Sequence, residues 1–332
     1  MIELMIYGAT GYTGRLACQH ANSLGLRFVL SGRSQGKLAE LSRQLAAPYL
    51  VFGTDNAHAI VSALEDVKVL LNCAGPFGQT AEPLMAACIE KGVHYLDISA
   101  ELSSYQLVER LDEKARGRGV MLLPGCGGSV AMLGCLAHHV LQSVTSVEQA
   151  VSIDVALCVA GPMSRGSAIS ARDGLSPECL RRREGTMVPH DINNTQQFDF
   201  DDGHGQVDCF PVTLPDLITI WKSTGVSNIG TFVRVSGGSF PTTDLSALPD
   251  GPTAEQRSAS PYHAAVIVTT QDKTTRRAVL HTVNGYTFTG IASVEAAKRV
   301  LKGEVKAGFQ TPAVMFGKEF VESVTGSRIA DL

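Results

Sequence analysis

Over the first third of the chain, short apolar runs bounded by turn residues alternate with segments of helical spacing. "LMIYG", "RFVLSGR", "YLVFG", "VKVLLNCAG", "VHYLDIS" and "GVMLLPG" read as strands, and residues 13–24, 37–45, 57–64, 81–91 and 105–116 between them read as helices. This alternation predicts a doubly wound parallel sheet of at least six strands, with right-handed crossovers covering both faces. After Gly125 the pattern changes. Ser129 is placed to cap an apolar helix running to about Leu141, and "AVSIDVALCVA", "IGTFVRVS", "YHAAVIVTTQ" and "RRAVLHTV" are longer strand candidates that no longer alternate with helices. They predict a second α+β domain on a mixed or antiparallel sheet. Residues 241–261, rich in Pro, Ser, Thr and Asp, read as a long surface loop or lid, and a helix is predicted over residues 294–302, stopped by Gly303.

Composition narrows the classes. With 44% hydrophobic and 18% charged residues over 332 positions, the chain has material for two cored domains. A net charge of -4, with basic residues scattered except for Arg181 to Arg183, offers no field for nucleic acid. The eight cysteines contain no CxxC pair and no zinc spacing, so they read as reduced thiols, and no metal site is expected. The longest apolar stretch, Val130 to Val140, contains Gly134, His138 and His139 and is too short to span a bilayer, and no cationic leader pattern precedes the first strand. A cytoplasmic protein is expected.

The turn out of the first strand reads "GATGYTGRL". Gly8, Gly11 and Gly14 between a strand and a helix are the spacing of a dinucleotide phosphate loop: a tight turn, close approach of backbone N–H groups to a pyrophosphate, and close helix–sheet packing. Thr10, Tyr12 and Thr13 lie in the same turn, the threonines as hydroxyl donors. An NAD enzyme would place an acidic residue at the end of the second strand, but the text there is "LSGRSQGKL". Ser31, Arg33, Ser34 and Lys37 suit a 2′-phosphate instead, so NADP(H) is the expected cofactor. Asp55 is placed to accept from the adenine amino group. In "NCAGPFG", Asn72, Ala74, Gly75, Pro76 and Phe77 lie where the ribose and nicotinamide should pass, at the carboxyl edge of the fourth strand.

Two enzyme classes share this opening and fit poorly. Short-chain reductases use a Tyr-x-x-x-Lys pair, and none of the seven tyrosines has Lys four positions on. A semialdehyde dehydrogenase would use a nucleophilic thiol, for which Cys126 in "LLPGCGGS" is the candidate, without an obvious histidine partner. The chain instead resembles the saccharopine dehydrogenase-like oxidoreductases, the group that includes the trans-acting enoyl reductases. The resemblance runs through "GATGYTGRL", "LNCAGPFGQTAEPLMAACIEKGVHYLDISAE", "SRGSAISARDGL", "STGVSNI" and "GYTFTGIASVEAAKRVLKG". It implies cofactor contacts at Gly8, Thr10, Gly11, Tyr12, Thr13, Gly14, Arg33, Ser34, Asn72, Ala74, Gly75 and Pro76, and a substrate wall and oligomer face in the domain after residue 125. Where many relatives read G-F-D-x-x-P-x-D, this chain has Gly127, Gly128, Ser129, Val130, Ala131, Met132, Leu133 and Gly134, so both acidic positions and the proline are replaced.

The expected organisation is therefore a Rossmann domain over residues 1–125, a substrate and oligomerisation domain over 126–290, and a C-terminal helix and tail over 291–332 packing back on the first domain. The expected chemistry is hydride transfer from NADPH to an activated C=C, C=O or C=N of a small or acyl-type substrate. A non-catalytic NADP-binding sensor or scaffold is the alternative. Candidate groups for the developing charge are Arg165, beside Ser164 and Ser167, Lys222 beside Ser223 and Thr224, and Tyr286. Asp97 and Glu101 in "YLDISAE" are weighed between structural and acid–base roles. The extended second-domain strands suggest a homodimer.

Overall fold

The computed structural model describes residues 3–144, 149–174, 178–236, 245 and 248–332. Its first part runs β1 (Leu4–Tyr7), α1 (Tyr12–Ser23), β2 (Phe28–Gly32), α2 (Gln35–Leu45), β3 (Tyr49–Val51), α3 (Ala57–Ala63), β4 (Val69–Asn72), α4 (Phe77–Lys91), β5 (His94–Asp97), α5 (Leu102–Gly117) and β6 (Met121–Leu123). The strands pair in parallel in the order β6-β5-β4-β1-β2-β3, so the order reverses between β1 and β4. Side chains alternate along each strand, and both faces are covered: Leu4 and Ile6 enter one apolar cluster while Met5 and Tyr7 enter another. That is why these strands are apolar throughout.

The second part follows as α6 (Ser129–Gln142), β7 (Ala150–Ala160), α7 (Arg165–Gly174), β8 (Leu180–Arg183), β9 (Thr186–Pro189), β10 (Gln196–Asp199), β11 (Gln206–Pro211), α8 (Asp216–Thr224), β12 (Ile229–Ser236), α9 (Ala254–Ser258), β13 (Tyr262–Thr270) and β14 (Thr275–Thr282). The chain closes with α10 (Gly285–Leu301), β15 (Gly308–Phe309), α11 (Pro312–Phe316), a 3-10 turn Lys318–Ser323 and β16 (Arg328–Asp331). The second sheet has the order β10-β11-β12-β7-β13-β14-β16, with β8 and β9 added at β12. It is mixed, because β7 and β12 are parallel and the other pairs antiparallel. Leu133, Leu136 and Val140 of α6 carry the core from the first sheet to Ile153, Val155, Val266 and Leu280 of the second. On the other face of the second sheet, Phe198, Phe200, Phe232 and Val279 form a smaller aromatic core.

Several boundaries differ from the sequence expectation for local reasons. The last long helix starts nine residues before the expected 294, because the Asn284 side chain accepts from the Tyr286 N–H and caps it there. Gly128 rather than Ser129 is the N-cap of α6, at φ +86°, a conformation that favours glycine. Of the loop expected over 241–261, residues 241–244 and 246–247 lie outside the described residues; the described remainder holds α9, fixed by a reciprocal Thr253–Gln256 capping box. The tail divides between the sheets: β15 extends the first beside β6, and β16 extends the second beside β14.

Candidate cofactor and active site

Gly8, at φ +77°, turns the chain out of β1, and its N–H donates to Ser31 O at 2.9 Å. A Cβ on Gly14 would stand 2.2 Å from Gly8 O, and one on Gly8 2.7 Å from Ala74 N, so loop, helix and the turn after β4 touch backbone to backbone. Gly11 is the N-cap of α1 and no side chain caps the helix, which leaves its N-terminus to an anion. Thr10 and Thr13 are half-buried at this turn.

At the end of β2, Arg33 is exposed and has no ion pair among the described residues. Ser34 is the N-cap of α2, yet its hydroxyl makes no capping bond, and Lys37 is exposed one turn on. Ser31 differs from its expected use: it is fully buried, and its hydroxyl donates to Ile6 O at 3.2 Å, tying β2 to β1. Asp55 is exposed on the neighbouring turn, where Tyr7 packs on Phe52 with ring centres 5.0 Å apart.

The turn after β4 is held from below. Asn72 is fully buried; its Oδ1 accepts from Ala74 N–H at 2.9 Å, and its Nδ2 donates to Tyr95 OH at 3.1 Å and Thr80 Oγ1 at 3.2 Å. Tyr95 OH donates to Asp97 Oδ2 at 2.9 Å, and Asp97 Oδ1 accepts from the N–H groups of Ser99 and Gly125, each at 2.9 Å. The carboxyl ends of β4, β5 and β6 are thus joined by one buried network. Burial pushes the Asp97 carboxyl up to about 6 despite these three donors. Gly75 and Pro76, joined by a cis peptide bond, form the exposed part of the turn, and Phe77 is buried at the start of α4.

Glu101 caps α4 from outside. Its carboxylate accepts from Phe77 N–H at 3.0 Å and Gly78 N–H at 2.9 Å, and from Ser170 Oγ of α7 at 2.8 Å. An acceptor engaged by three donors is an anchor, not an acid poised to donate. The same contact lays α7 over the turn, with Ser170 Oγ 3.2 Å from where a Cβ on Gly75 would stand.

The structure brings two of the three candidate reactive groups together. Ser164 N–H donates to Tyr286 OH at 2.7 Å, and Ser164 Oγ accepts from Ser167 N–H at 3.1 Å, so Tyr286 is tied to the start of α7 at the residue before Arg165. Tyr286 stands edge-on to Tyr12 of the phosphate loop, ring centres 5.2 Å apart, and its own proton has no acceptor among the described residues. Arg165 is committed on one side to Leu248 O. Lys222 is elsewhere: its Nζ lies 4.8 Å from the Phe309 ring on β15, at the edge of the first sheet. Cys126 is also unsuited to attack. It is fully buried, and burial, reinforced by Asp97, holds its thiol well above the usual range, so no thiolate forms there.

Residues 4–123 match the family model described as the saccharopine dehydrogenase NADP binding domain. The chain is 27% identical over 184 residues to a saccharopine dehydrogenase-like oxidoreductase of Mus musculus, a stretch covering 47% of this chain and 43% of that protein. Over 145 residues it is 27% identical to a trans-acting enoyl reductase of Mycobacterium ulcerans, covering 41% of this chain and 35% of that one. The likeness thus spans less than half the length of these relatives. Among solved structures, apo saccharopine dehydrogenase (L-Glu forming) from Saccharomyces cerevisiae shares the fold over 100% of both chains, with a TM-score of 0.67 at 10% identity.

The glycines at 127 and 128 have a packing reason. A Cβ on Gly127 would lie 2.9 Å from Thr289 O, and one on Gly128 3.1 Å from Thr289 Oγ1, so α10 seats on the turn where a bulky side chain would otherwise stand. Gly134 lies against Ala313 of α11, with 3.8 Å to an added Cβ. Of His138 and His139, one bonds Ser223 and the other Asp331, so the pair does not converge. The Asn72–Tyr95–Asp97 network and the Glu101–Ser170 contact escaped sequence reading in detail. The available signal was polar residues ending otherwise apolar strands, Asn72 in "VLLN" and Asp97 in "HYLD".

Proposed function

We propose that this chain is an NADPH-dependent reductase acting on an activated C=C, C=O or C=N of a small or acyl-type substrate. The observation that carries the cofactor side is the unpaired, exposed Arg33 with the uncommitted Ser34 hydroxyl and Lys37 at the end of β2. Arg33 forks onto the 2′-phosphate, the open N-terminus of α1 takes the pyrophosphate, and the Asn72-supported turn receives the nicotinamide ribose. The cofactor supplies the hydride when bound. Tyr286 is the proton donor: with Ser164 N–H already on its oxygen, its O–H is free to pass a proton to the substrate atom that gains negative charge. Arg165, the first residue of α7, stabilises that charge on approach.

Loss of NADPH absorbance with a panel of enones, enoyl thioesters and imines tests this. Turnover of one class is expected, and Tyr286→Phe should lower its kcat by roughly 100-fold or more at unchanged NADPH affinity. Tight NADPH binding with no turnover of any class would instead favour the sensor reading, in keeping with Gly128, Ser129 and Gly134 standing where many similar sequences have a phenylalanine and two acidic residues. The same proposal places the chain in the cytosol, in keeping with eight free cysteines, and as a homodimer, for which exposed Phe210 and Ile192 offer contact area; light scattering checks the latter. No helix among the described residues is long and apolar enough to cross a membrane.

A further inference from the structure

We propose that Arg15 and Arg165 form a site for a phosphate-type oxyanion at the mouth of the cofactor cleft, and that Asp250 is an internal counter-ion occupying it until such a group arrives. Arg15 lies in the first turn of α1, directly after the phosphate loop, and its Nη1 donates to Thr10 O at 2.9 Å. Arg165 opens α7, and its Nε and Nη2 donate to Leu248 O at 2.8 and 2.5 Å. Each guanidinium keeps one nitrogen for Asp250: Arg15 Nη2 lies 3.3 Å from Oδ2 and Arg165 Nη1 3.5 Å from Oδ1. A single carboxylate therefore spans two arginines held from different parts of the fold.

That carboxylate is a loose occupant. Both contacts are longer than the roughly 2.7–2.9 Å of a charge-assisted bond. The side chains of Arg15, Arg165 and Asp250 are 36, 40 and 59% exposed, and ion pairs so open to water contribute little. Two positive charges meet one negative, so a phosphate dianion satisfies the pair better than Asp250 does. The place is also functional ground: Tyr12 shares the loop with Arg15, and Ser164, next to Arg165, bonds Tyr286.

Asp250 belongs to a strap, Leu248 to Ser258, that crosses the phosphate loop. Its other anchors include the Arg165 bonds to Leu248 O, Tyr12 OH to Pro252 O at 2.5 Å, Arg257 Nη1 to Tyr12 OH at 2.7 Å and Arg257 Nε to Thr287 Oγ1 at 3.2 Å. Displacing Asp250 removes the ionic anchor, so oxyanion binding and loosening of the strap are linked. The oxyanion comes either from the cofactor's pyrophosphate or from a phosphate group on an acyl-type substrate. Only the choice between these sources rests on the NADPH reading.

The test titrates inorganic phosphate calorimetrically into the full chain at fixed ionic strength, with thermal melts confirming that each variant folds. Asp250→Asn should bind phosphate on the order of tenfold more tightly, because an internal competitor acting at high effective concentration is gone. The gain should vanish when Arg165→Ala is added, and hydrogen exchange over residues 251–258 should quicken on binding to the wild type. An Asp250→Asn chain that binds no tighter, or a gain that survives Arg165→Ala, overturns the proposal. With the gain established, the titration is repeated under saturating NADPH. Phosphate excluded by NADPH assigns the site to the cofactor's pyrophosphate, and phosphate bound alongside it assigns the site to the substrate. Failure of NADPH to bind the wild type would sink the reductase reading while leaving the phosphate comparison intact.

Discussion

The two ends of the proposed nucleotide site are built in opposite ways. At the adenosine end, Arg33, Ser34 and Lys37 are at or near the surface with their polar groups uncommitted, so removing one costs the fold little and the ligand much. At the nicotinamide end, Asn72, Tyr95 and Asp97 are buried and bonded to one another, so they shape a turn without offering a free group to the ligand. In the proposed site, cofactor selectivity would therefore lie in spare hydrogen-bonding capacity and cofactor orientation in capacity already used.

The largest expected effect lies at the closed end. Asn72→Ala strands Ala74 N–H and removes a donor from both Tyr95 OH and Thr80 Oγ1, and buried groups left unpaired cost roughly 1–3 kcal/mol each, so the denaturant midpoint should fall by the equivalent of about 4 kcal/mol. A midpoint unchanged within error would break the comparison at once. The second test is pH. Asp97 titrates near 3.8 when unfolded and at about 6 when folded, so between those values the folded chain holds a proton that the unfolded chain has lost. Its contribution therefore favours folding at low pH and declines as pH rises from about 4 to 6, by about 3 kcal/mol, then levels off. Asp97→Asn, which retains the acceptor for Ser99 and Gly125, should flatten that part of the stability–pH curve. Asp216, fully buried with neither carboxylate oxygen bonded and pushed up by burial to about 7, adds a decline of the same sign that reaches to higher pH and is untouched by this variant.

The open end should respond inversely. Arg33→Ala should weaken NADPH by roughly 10- to 100-fold, the worth of a charge-assisted fork on phosphate, while NADH binding and the melting temperature stay as they were. Equal losses for both nucleotides would remove the 2′-phosphate assignment. The smallest effect is expected at the contact joining the two halves. Ser170→Ala removes one bond to the Glu101 carboxylate, worth about 1 kcal/mol, and should speed hydrogen exchange over α7 without moving that of α4, which keeps its two backbone caps.

These differences also decide what could be read in advance. "GATGYTGRL" and "SGRS" are local chemistry: a glycine turn, a helix start and a free guanidinium depend only on neighbours a few residues away. Asp250 sits 235 residues from Arg15, and Glu101 sits 69 from Ser170, so although three of these four lie in stretches that stand out in the sequence, nothing local pairs them. Lys222 shows the converse, since "WKSTG" offers a candidate lysine and packing sets its Nζ 4.8 Å from the Phe309 ring on β15.

The sequence by itself determined the parallel sheet and its glycine turn and carried the expectation of NADP, because alternation of apolar runs, glycine spacing and the charge after β2 each act over a single turn or strand. Only the tertiary structure decided which distant side chains meet. It closed the Asn72–Tyr95–Asp97 network from β4 and β5 to the turn after β6, tied Tyr286 to the residue before Arg165, and laid Asp250 between two arginines. The physical reason is that hydrogen bonds and ion pairs act over a few ångströms in space, whereas pattern in a sequence is legible only over a few residues along the chain.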